Sequence, residues 1–188
     1  MQPLYRMAAR SQLVTAEELE KFPDDDYRYE LVEGRVIRMS PVGLAHGVVA
    51  MRFGARLTRH VEAHALGVVC TEVGFKLASN PDTVRAPDIA FIRRDRLPPG
   101  NLSRGFFNGP TDLVVEVLSP DDRPVDVRAK VEEYLTRSVL LVLVLDPDRK
   151  TATAYRRLAA PVTLTVDDDL DLTDIVHDFK CRVREIFE

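Results

Sequence analysis

The sequence predicts an α/β (α+β) fold in which helices flank a mixed central β-sheet. Strand-like runs at residues 112–118 and 139–145 are joined by a helical stretch, and such a strand–helix–strand unit makes a right-handed crossover between parallel strands. Two further strand-like runs, 68–77 and 85–92, flank an Asn-Pro-Asp turn, which predicts an antiparallel pair. A sheet that contains both kinds of neighbour is mixed.

Length and composition predict one globular domain over residues 1–188. A chain of 188 residues with 45% hydrophobic and 30% charged residues can bury a core of its own. Residues 1–26 are the expected N-terminal helical lead-in. The net charge of −4 argues against a broad basic face that coats duplex DNA without specificity, although Arg52, Arg56 and Arg59 can form a local basic stripe.

Cysteine usage and hydropathy predict a cytoplasmic protein. Cys70 and Cys181 lack the spacing of a metal site or of a disulfide framework, so we interpret both as reduced packing residues. The longest apolar run, residues 139–145, is too short to span a bilayer, and residues 1–10 lack the apolar stretch of a signal peptide. We therefore expect no membrane partner.

The N-terminal third predicts two helices separated by a hairpin. A capping-box pattern begins at Thr15 and predicts a short helix over residues 16–22. Strand-like runs at 27–32 and 35–39 flank a Glu-Gly pair, which predicts a hairpin whose glycine takes a positive φ. Helical periodicity over residues 44–65 then predicts the longest helix. Its apolar residues recur in two sets: Leu44, Val48, Met51, Ala55, and Val49, Phe53, Leu57, Val61.

Residues 97–110 predict a long loop with three prolines and three glycines. A loop of this length is uncommon in a compact domain, which favours a functional or interface role. Phe106 and Phe107 in this loop could stack bases, pack against a second subunit or fill the core.

The most specific pattern of the C-terminal half is a central strand followed by a helix. Alternation along residues 112–118 places apolar side chains on both faces, which is typical of a central strand. Residues 122–137 predict a helix with Lys130 at the edge of its apolar stripe. Lys130 can reach over the sheet or form an i,i+4 ion pair with Asp126, and spacing alone leaves both open. The stripe is Val127, Val131, Tyr134 and Leu135, and the remaining predicted strands are 151–157 and 162–166.

Two strands of the predicted sheet each carry one carboxylate among apolar neighbours, Asp88 and Glu116. An unpaired charge in such a position costs several kcal/mol to bury. Each carboxylate could meet a basic partner, Arg85 or Arg123 for example. Alternatively, neighbouring strands bring both carboxylates to one point, where a divalent cation neutralises them.

The motifs around these carboxylates resemble the signature of the PD-(D/E)XK nuclease superfamily, in particular its Uma-two family of restriction endonuclease-like proteins. The motifs are Pro87-Asp88 and Glu116-Val117-Leu118. The likeness continues in order through residues 29–34, 39–41, His46, 116–120, 126–130, Tyr134 and 146–147. Leu118 stands where the superfamily usually has a catalytic lysine. In the resembled family this lysine comes from the next helix, which points to Lys130.

The resemblance implies a restriction endonuclease-like fold and a Mg²⁺-dependent endonuclease that hydrolyses phosphodiester bonds of nucleic acid, with DNA as the expected substrate. It implies that Asp88, Glu116 and the Val117 carbonyl are the metal ligands. Mg²⁺ is expected, with Mn²⁺ as a substitute, because these ligands are hard oxygen atoms. A homodimer would supply one site for each strand of a duplex.

The resemblance also implies further site residues. Lys130 would orient the attacking water or stabilise the transition state, and Glu30 would complete the acidic cluster. Without the resemblance, Glu30 is an exposed strand residue that pairs with Arg28 or Arg38. His46 and Tyr134 are candidates for the border of the cleft.

Two rival functions belong to other classes. A nuclease-like fold can act as a module that binds nucleic acid or a protein without turnover, but such a module is expected to have lost part of its acidic cluster, and here every position is filled. A glycosidase could use Asp88 and Glu116 as its carboxylate pair. The absence of tryptophan and the small number of tyrosines argue against a sugar site.

Overall fold

Two β-sheets carry the fold, and the computed structural model describes it over residues 13–23, 27–100, 102 and 104–188. The helices are α1 (Ala16–Leu19), α2 (Leu44–Ala63), α3 (Pro124–Thr136) and α4 (Arg184–Phe187), and a 3-10 turn covers Arg94–Arg96. The strands are β1 (Arg28–Val32), β2 (Arg35–Met39), β3 (Gly67–Cys70), β4 (Phe75–Ala78), β5 (Thr83–Arg85), β6 (Ile89–Arg93), β7 (Phe107–Asn108), β8 (Leu113–Val117), β9 (Leu141–Asp146), β10 (Thr151–Arg156), β11 (Val162–Leu164), β12 (Asp169–Asp171) and β13 (Lys180–Arg182).

The larger sheet has the strand order β11-β10-β9-β8-β6-β3 and is mixed. Its central strand β8 is parallel to β9 and antiparallel to β6. The smaller sheet has the order β2-β1-β5-β4-β7, and β12 pairs with β13 separately. The predicted α/β fold with a mixed central sheet is confirmed, and its division into two sheets is a feature that the sequence did not predict.

Helices cover both faces of the larger sheet. Leu113 and Val115 of β8 belong to the apolar cluster that contains Phe53 and Leu57 of α2. Val114, on the other face of β8, belongs to the cluster that contains the α3 side chains. The predicted two-faced central strand is therefore confirmed, because alternate residues of β8 serve two different cores.

The predicted strands 68–77 and 85–92 are each broken, and the break divides the two sheets. β3 pairs with β6 in the larger sheet, whereas β4 pairs with β5 in the smaller one. Glu72 has a φ of 57° and Pro87 has no N–H to donate to a ladder. The Glu72 N–H donates to the Pro87 carbonyl at 3.1 Å, so both strands leave one sheet for the other at the same level. We call this point the sheet junction.

The helix α2 buries one of its two predicted apolar sets and exposes the other. Its buried side chains are His46, Val49, Phe53, Leu57 and Val61. Leu44 and Met51 of the other set are 85% and 71% exposed, since the larger sheet contacts the helix from one side only. The helix ends at Ala63, before the predicted residue 65. Gly67 is required by close packing, because a Cβ there would lie 2.0 Å from the Ile92 carbonyl oxygen.

The N-terminal helix has the predicted capping box but is shorter than predicted. The Glu18 N–H donates to Thr15 Oγ1 at 3.2 Å, and the Thr15 N–H donates to Glu18 Oε2 at 2.8 Å. The α-helix ends at Leu19. Much of the predicted lead-in, residues 1–12 and 24–26, lies outside the described residues.

Phe106 and Phe107 pack within the chain. Phe106 lies over Gly74, where an added Cβ would be 2.3 Å from its ring, and it contacts the cluster that holds α1. Phe107 belongs to β7, which pairs with β4, and its ring centroid is 5.6 Å from that of Phe75. Of the three roles considered for this pair, the structure favours filling the core.

Arginines of the predicted basic stripe on α2 contact the C-terminal segment. Arg52 Nη1 donates to the Phe187 carbonyl at 2.7 Å, and Arg56 Nη1 lies 3.4 Å from Glu185 Oε2. These two arginines therefore help to dock α4 onto α2.

The two cysteines are free thiols packed beside the apolar clusters. Cys70 and Cys181 are half-buried, and burial raises the pKa of each thiol to about 11. Both pKa values fit the interpretation of these cysteines as packing residues. Among the described residues, every helix is too short or too polar to cross a membrane.

A leucine-to-alanine substitution is expected to destabilise the protein more on the buried face of α2 than on the exposed face. Leu57 is fully buried, so Leu57→Ala is expected to lower the free energy of unfolding by about 2–5 kcal/mol. Leu44→Ala, on the exposed face, is the matched control and should change it by less than about 0.5 kcal/mol. Urea denaturation of both variants measures the difference, and equal costs would contradict the assignment of the faces.

Candidate active site

A cleft of about 1060 Å³ lies beside the sheet junction. Its walls are the β1–β2 hairpin, the N-terminal end of α2, the segment after β8 and the first turns of α3. Every side chain that the sequence predicted for the site reaches it, except that Tyr134 is buried behind one wall. The predicted residues that line the cleft are Glu30, His46, Asp88, Glu116, Val117 and Lys130.

Asp88 and Glu116 are brought together by the pairing of β6 with β8. Ile89 lies opposite Val115 in this antiparallel pair, so Asp88, which precedes β6, is next to the last residues of β8. The Val117 N–H donates to Asp88 Oδ2 at 2.8 Å. Neither carboxylate meets the partners first considered for it. Asp88 is bonded by this backbone N–H, while Arg123 pairs with Asp126 at 2.6 Å.

Lys130 lies between the buried Glu30 carboxylate and the half-buried Glu116 carboxylate. Its Nζ is 2.9 Å from Glu116 Oε1 and 3.3 Å from Glu30 Oε1. The structure thus favours the orientation over the sheet, and the alternative ion pair with Asp126 does not form. One turn further along α3, the Tyr134 hydroxyl donates to the same Glu116 oxygen at 2.7 Å. Two donors on one helix therefore fix the Glu116 carboxylate.

The pKa values in this group follow from burial and from the shared charges. Burial raises the pKa of Glu116, an effect that Lys130 opposes without cancelling. Burial alone would lower the pKa of Lys130. The Glu116 and Glu30 carboxylates raise this pKa by more than burial lowers it, so the ammonium stays charged. Burial and the nearby carboxylates raise the pKa of the Tyr134 hydroxyl well above its usual value. Tyr134 is therefore a hydrogen-bond donor.

His46 approaches the other carboxylate of the pair. It is buried in the first turn of α2, and its Nε2 lies 3.1 Å from Asp88 Oδ2. Burial would raise the pKa of Asp88, but His46 and the Val117 N–H lower it more, so Asp88 is ionised at neutral pH. The buried Nδ1 of His46 has no hydrogen-bond partner among the residues that the structure describes.

Comparison with known proteins identifies the family of this chain. A model of the Uma2 family, described as "Putative restriction endonuclease", matches residues 16–184. The chain belongs to the Uma2 family. The predicted family resemblance is thus confirmed, and membership supports a nuclease function.

A solved structure has the same fold. It is the crystal structure of a "putative nuclease belonging to DUF820" from Anabaena variabilis ATCC 29413, which superimposes with a TM-score of 0.81 at 21% sequence identity. The alignment covers 93% of this Uma2 chain and 97% of that chain. No curated protein matches the sequence.

Free carboxylate oxygens in the Uma2 cleft fit a hard cation. The contacts described above engage Asp88 Oδ2 and Glu116 Oε1, and the other oxygen of each carboxylate accepts no hydrogen bond from a described residue. Among the described residues, no three Asp, Glu, His or Cys side chains are grouped as a metal site. A cation here would therefore be held by these two carboxylates and by backbone or water oxygens.

Two charged residues of the Uma2 site, Arg85 and Glu133, were not predicted as site residues. Arg85 Nη1 donates to Glu30 Oε2 at 2.7 Å, and Arg85 Nε donates to Glu133 Oε2 at 2.6 Å. The prediction that Glu30 could pair with Arg28 or Arg38 is wrong. Arg28 pairs with Glu72, and the Arg38 guanidinium lies over the Tyr27 ring. The available signal was Arg85 itself, a charge between apolar neighbours that needed a buried partner.

Proposed function

We propose that this Uma2 protein is a metal-dependent endonuclease that hydrolyses phosphodiester bonds of nucleic acid, with DNA as its substrate. The observation that carries the proposal is the convergence of Asp88, Glu116 and Lys130 on one side of the cleft. Two carboxylates with free oxygens next to the Lys130 ammonium provide the charges that phosphodiester hydrolysis needs.

Asp88, Glu116 and the Val117 carbonyl would hold Mg²⁺, or Mn²⁺ in its place, because all three offer hard oxygen ligands. When bound, such a cation neutralises charge on the scissile phosphate and lowers the pKa of a water molecule. The protein's part is to fix the ligands. His46 and the Val117 N–H orient Asp88, and Tyr134 orients Glu116.

Lys130 would act on the reacting atoms. Its ammonium remains protonated between the two carboxylates, so it serves as a donor and not as a base. A fixed donor of this kind can orient the attacking water or stabilise the charge that develops on the phosphate oxygens. Its position on α3 compensates for Leu118, which stands where the superfamily usually has a lysine.

We further propose that the protein acts as a homodimer, because two sites related by a two-fold axis can cut the two strands of a duplex. Phe106 and Phe107 are poor candidates for the interface, since both pack within the chain. Sedimentation velocity at micromolar concentration tests this proposal, and a monomer under these conditions would contradict it.

Cation binding is expected to stabilise the fold and to be required for cleavage. A cation that binds only the native state adds about 2.7 kcal/mol at a hundredfold excess over Kd. Plasmid, linear and single-stranded DNA, and RNA, should be incubated with Mg²⁺, Mn²⁺ or EDTA. Cleavage of DNA is expected with either metal and not with EDTA. Asp88→Asn should lose both the cleavage and the rise in Tm that the metal causes.

Asp126→Asn is the matched control, because Asp126 is an exposed carboxylate of the cleft rim whose ion-pair partner among the described residues is the exposed Arg123. It should keep wild-type cleavage. Binding of nucleic acid without cleavage at any metal concentration would favour the module without turnover over the nuclease. Cleavage of RNA alone would contradict the DNA substrate.

Removal of the Lys130 ammonium is expected to slow the chemical step. In Lys130→Met the single-turnover cleavage rate should fall by about 100- to 1000-fold, as is typical for loss of one preorganised donor. Arg128→Met is the control, since Arg128 is an exposed cation on the same helix. Lys130→Met should also melt at a lower temperature, because it leaves the Glu116 carboxylate without its cationic partner. Rates are therefore compared where circular dichroism shows both variants folded. A wild-type rate in Lys130→Met would exclude Lys130 from the chemistry.

A further inference from the structure

Glu30 is the most completely bonded carboxylate of the cleft. It is 2% exposed. Its Oε2 accepts from Arg85 Nη1 at 2.7 Å, and its Oε1 accepts from the Ala86 N–H at 3.0 Å and lies 3.3 Å from Lys130 Nζ. Both oxygens of Glu30 are thus engaged, whereas Asp88 and Glu116 each keep one oxygen free of such contacts.

The charges around Glu30 also disfavour a second cation. A divalent ion bound to Glu30 would lie next to the Arg85 guanidinium and the Lys130 ammonium, and like charges in a buried site repel strongly. Burial raises the pKa of Glu30, but Lys130 and Arg85 lower it more, so the carboxylate is ionised and already neutralised. The cations that neutralise it are two side chains of the protein, Arg85 and Lys130.

Arg85 is itself held from its other side. Glu133 Oε2 accepts from Arg85 Nε at 2.6 Å, and Glu133 lies three residues after Lys130 on α3. The four residues form a chain of alternating charge, Lys130–Glu30–Arg85–Glu133, whose two ends both lie on α3, and we call it the charge ring. This charge ring fixes Glu30 against the end of Lys130.

Lys130 therefore has two anchors with different properties. Its contact with Glu116 is the shorter, at 2.9 Å, but Glu116 is also the ligand that the proposed metal site requires. Like charges repel, so the ammonium cannot keep its full contact with a carboxylate that neutralises a cation. Glu30 is not shared in this way and can retain Lys130 throughout the reaction.

We infer that Glu30 is a positioning residue that, with Arg85 and Glu133, anchors Lys130 for catalysis and does not ligate the metal. This inference rests on the proposed nuclease function. It reassigns Glu30 from the acidic cluster of the metal site to the support of the lysine.

The test compares Mn²⁺ affinity, measured by isothermal titration calorimetry, with the single-turnover rate of DNA cleavage. Glu30→Gln should keep a Kd for Mn²⁺ within about tenfold of wild type, while its rate falls by about tenfold or more. Asp88→Asn should lose Mn²⁺ binding. A Glu30→Gln variant that loses Mn²⁺ binding as Asp88→Asn does, or that keeps the wild-type rate, would overturn the inference.

A double-mutant cycle separates anchoring of Lys130 from an independent role. If Glu30 acts through Lys130, adding Glu30→Gln to Lys130→Met should cost less than about twofold in rate. If the rate loss of the double variant equals the product of the rate losses of the two single variants, the two residues act independently and the inference is overturned. A purely structural role of Glu30 would lower Tm and leave the rate of the folded variant unchanged.

Glu30→Gln leaves the Arg85 guanidinium without one of its carboxylates and could prevent folding. The double variant Glu30→Gln/Arg85→Met removes both charges and is judged by the same Mn²⁺ criterion. Absence of Mn²⁺ binding and of cleavage in the wild-type protein would overturn the proposed function, and the inference with it. Loss of Mn²⁺ binding in the Glu30 variants alone would overturn only the inference.

Discussion

Compensation of buried charge is the constraint on which this structure depends. Glu30 and Arg85 are buried and Glu116 and Lys130 are half-buried, in a place where an isolated ion would cost several kcal/mol. Each is acceptable only because another of the group is in contact with it. The elements that carry these residues, β1, β5, β8 and α3, must therefore meet at one place, and the two sheets and α3 are arranged so that they do.

The sheet junction is what makes this meeting possible. At Glu72 and Pro87 the chain leaves one sheet for the other. Asp88 follows the junction directly, so it lies at the start of β6 beside the end of β8, while Arg85 stays in the smaller sheet next to β1. A single continuous hairpin would have placed both residues in one sheet. The break thus places Asp88 at the open part of the cleft and keeps Arg85 in the charge ring.

Local patterns in the sequence predicted the elements better than the contacts between them. Alternation in β8 determines which residues share a face. Because both faces are apolar, the sequence predicted that β8 is a central strand of the sheet. Periodicity in α2 likewise grouped Leu44 with Met51, but it could not tell which group meets the sheet. Sequence spacing allowed Lys130 either to pair with Asp126 or to reach over the sheet. Only tertiary packing distinguishes these two orientations. Arg85 and Glu133 were not predicted as site residues, because their partners lie in other elements at sequence separations of about 50 residues.

Because both ends of the charge ring lie on α3, the order of the proposed site depends on the docking of one helix. α3 rests on a small apolar cluster, to which it contributes the buried side chains of Val131 and Tyr134. Both ends of the charge ring, Lys130 and Glu133, belong to that same helix, and Tyr134 binds Glu116 from it as well. If α3 detaches, the anchor of the lysine, the orientation of Glu116 and the cover of the sheet are lost in one cooperative step. On the proposed function, opening of α3 would therefore remove the whole site at once and would not leave a folded site with a misplaced lysine.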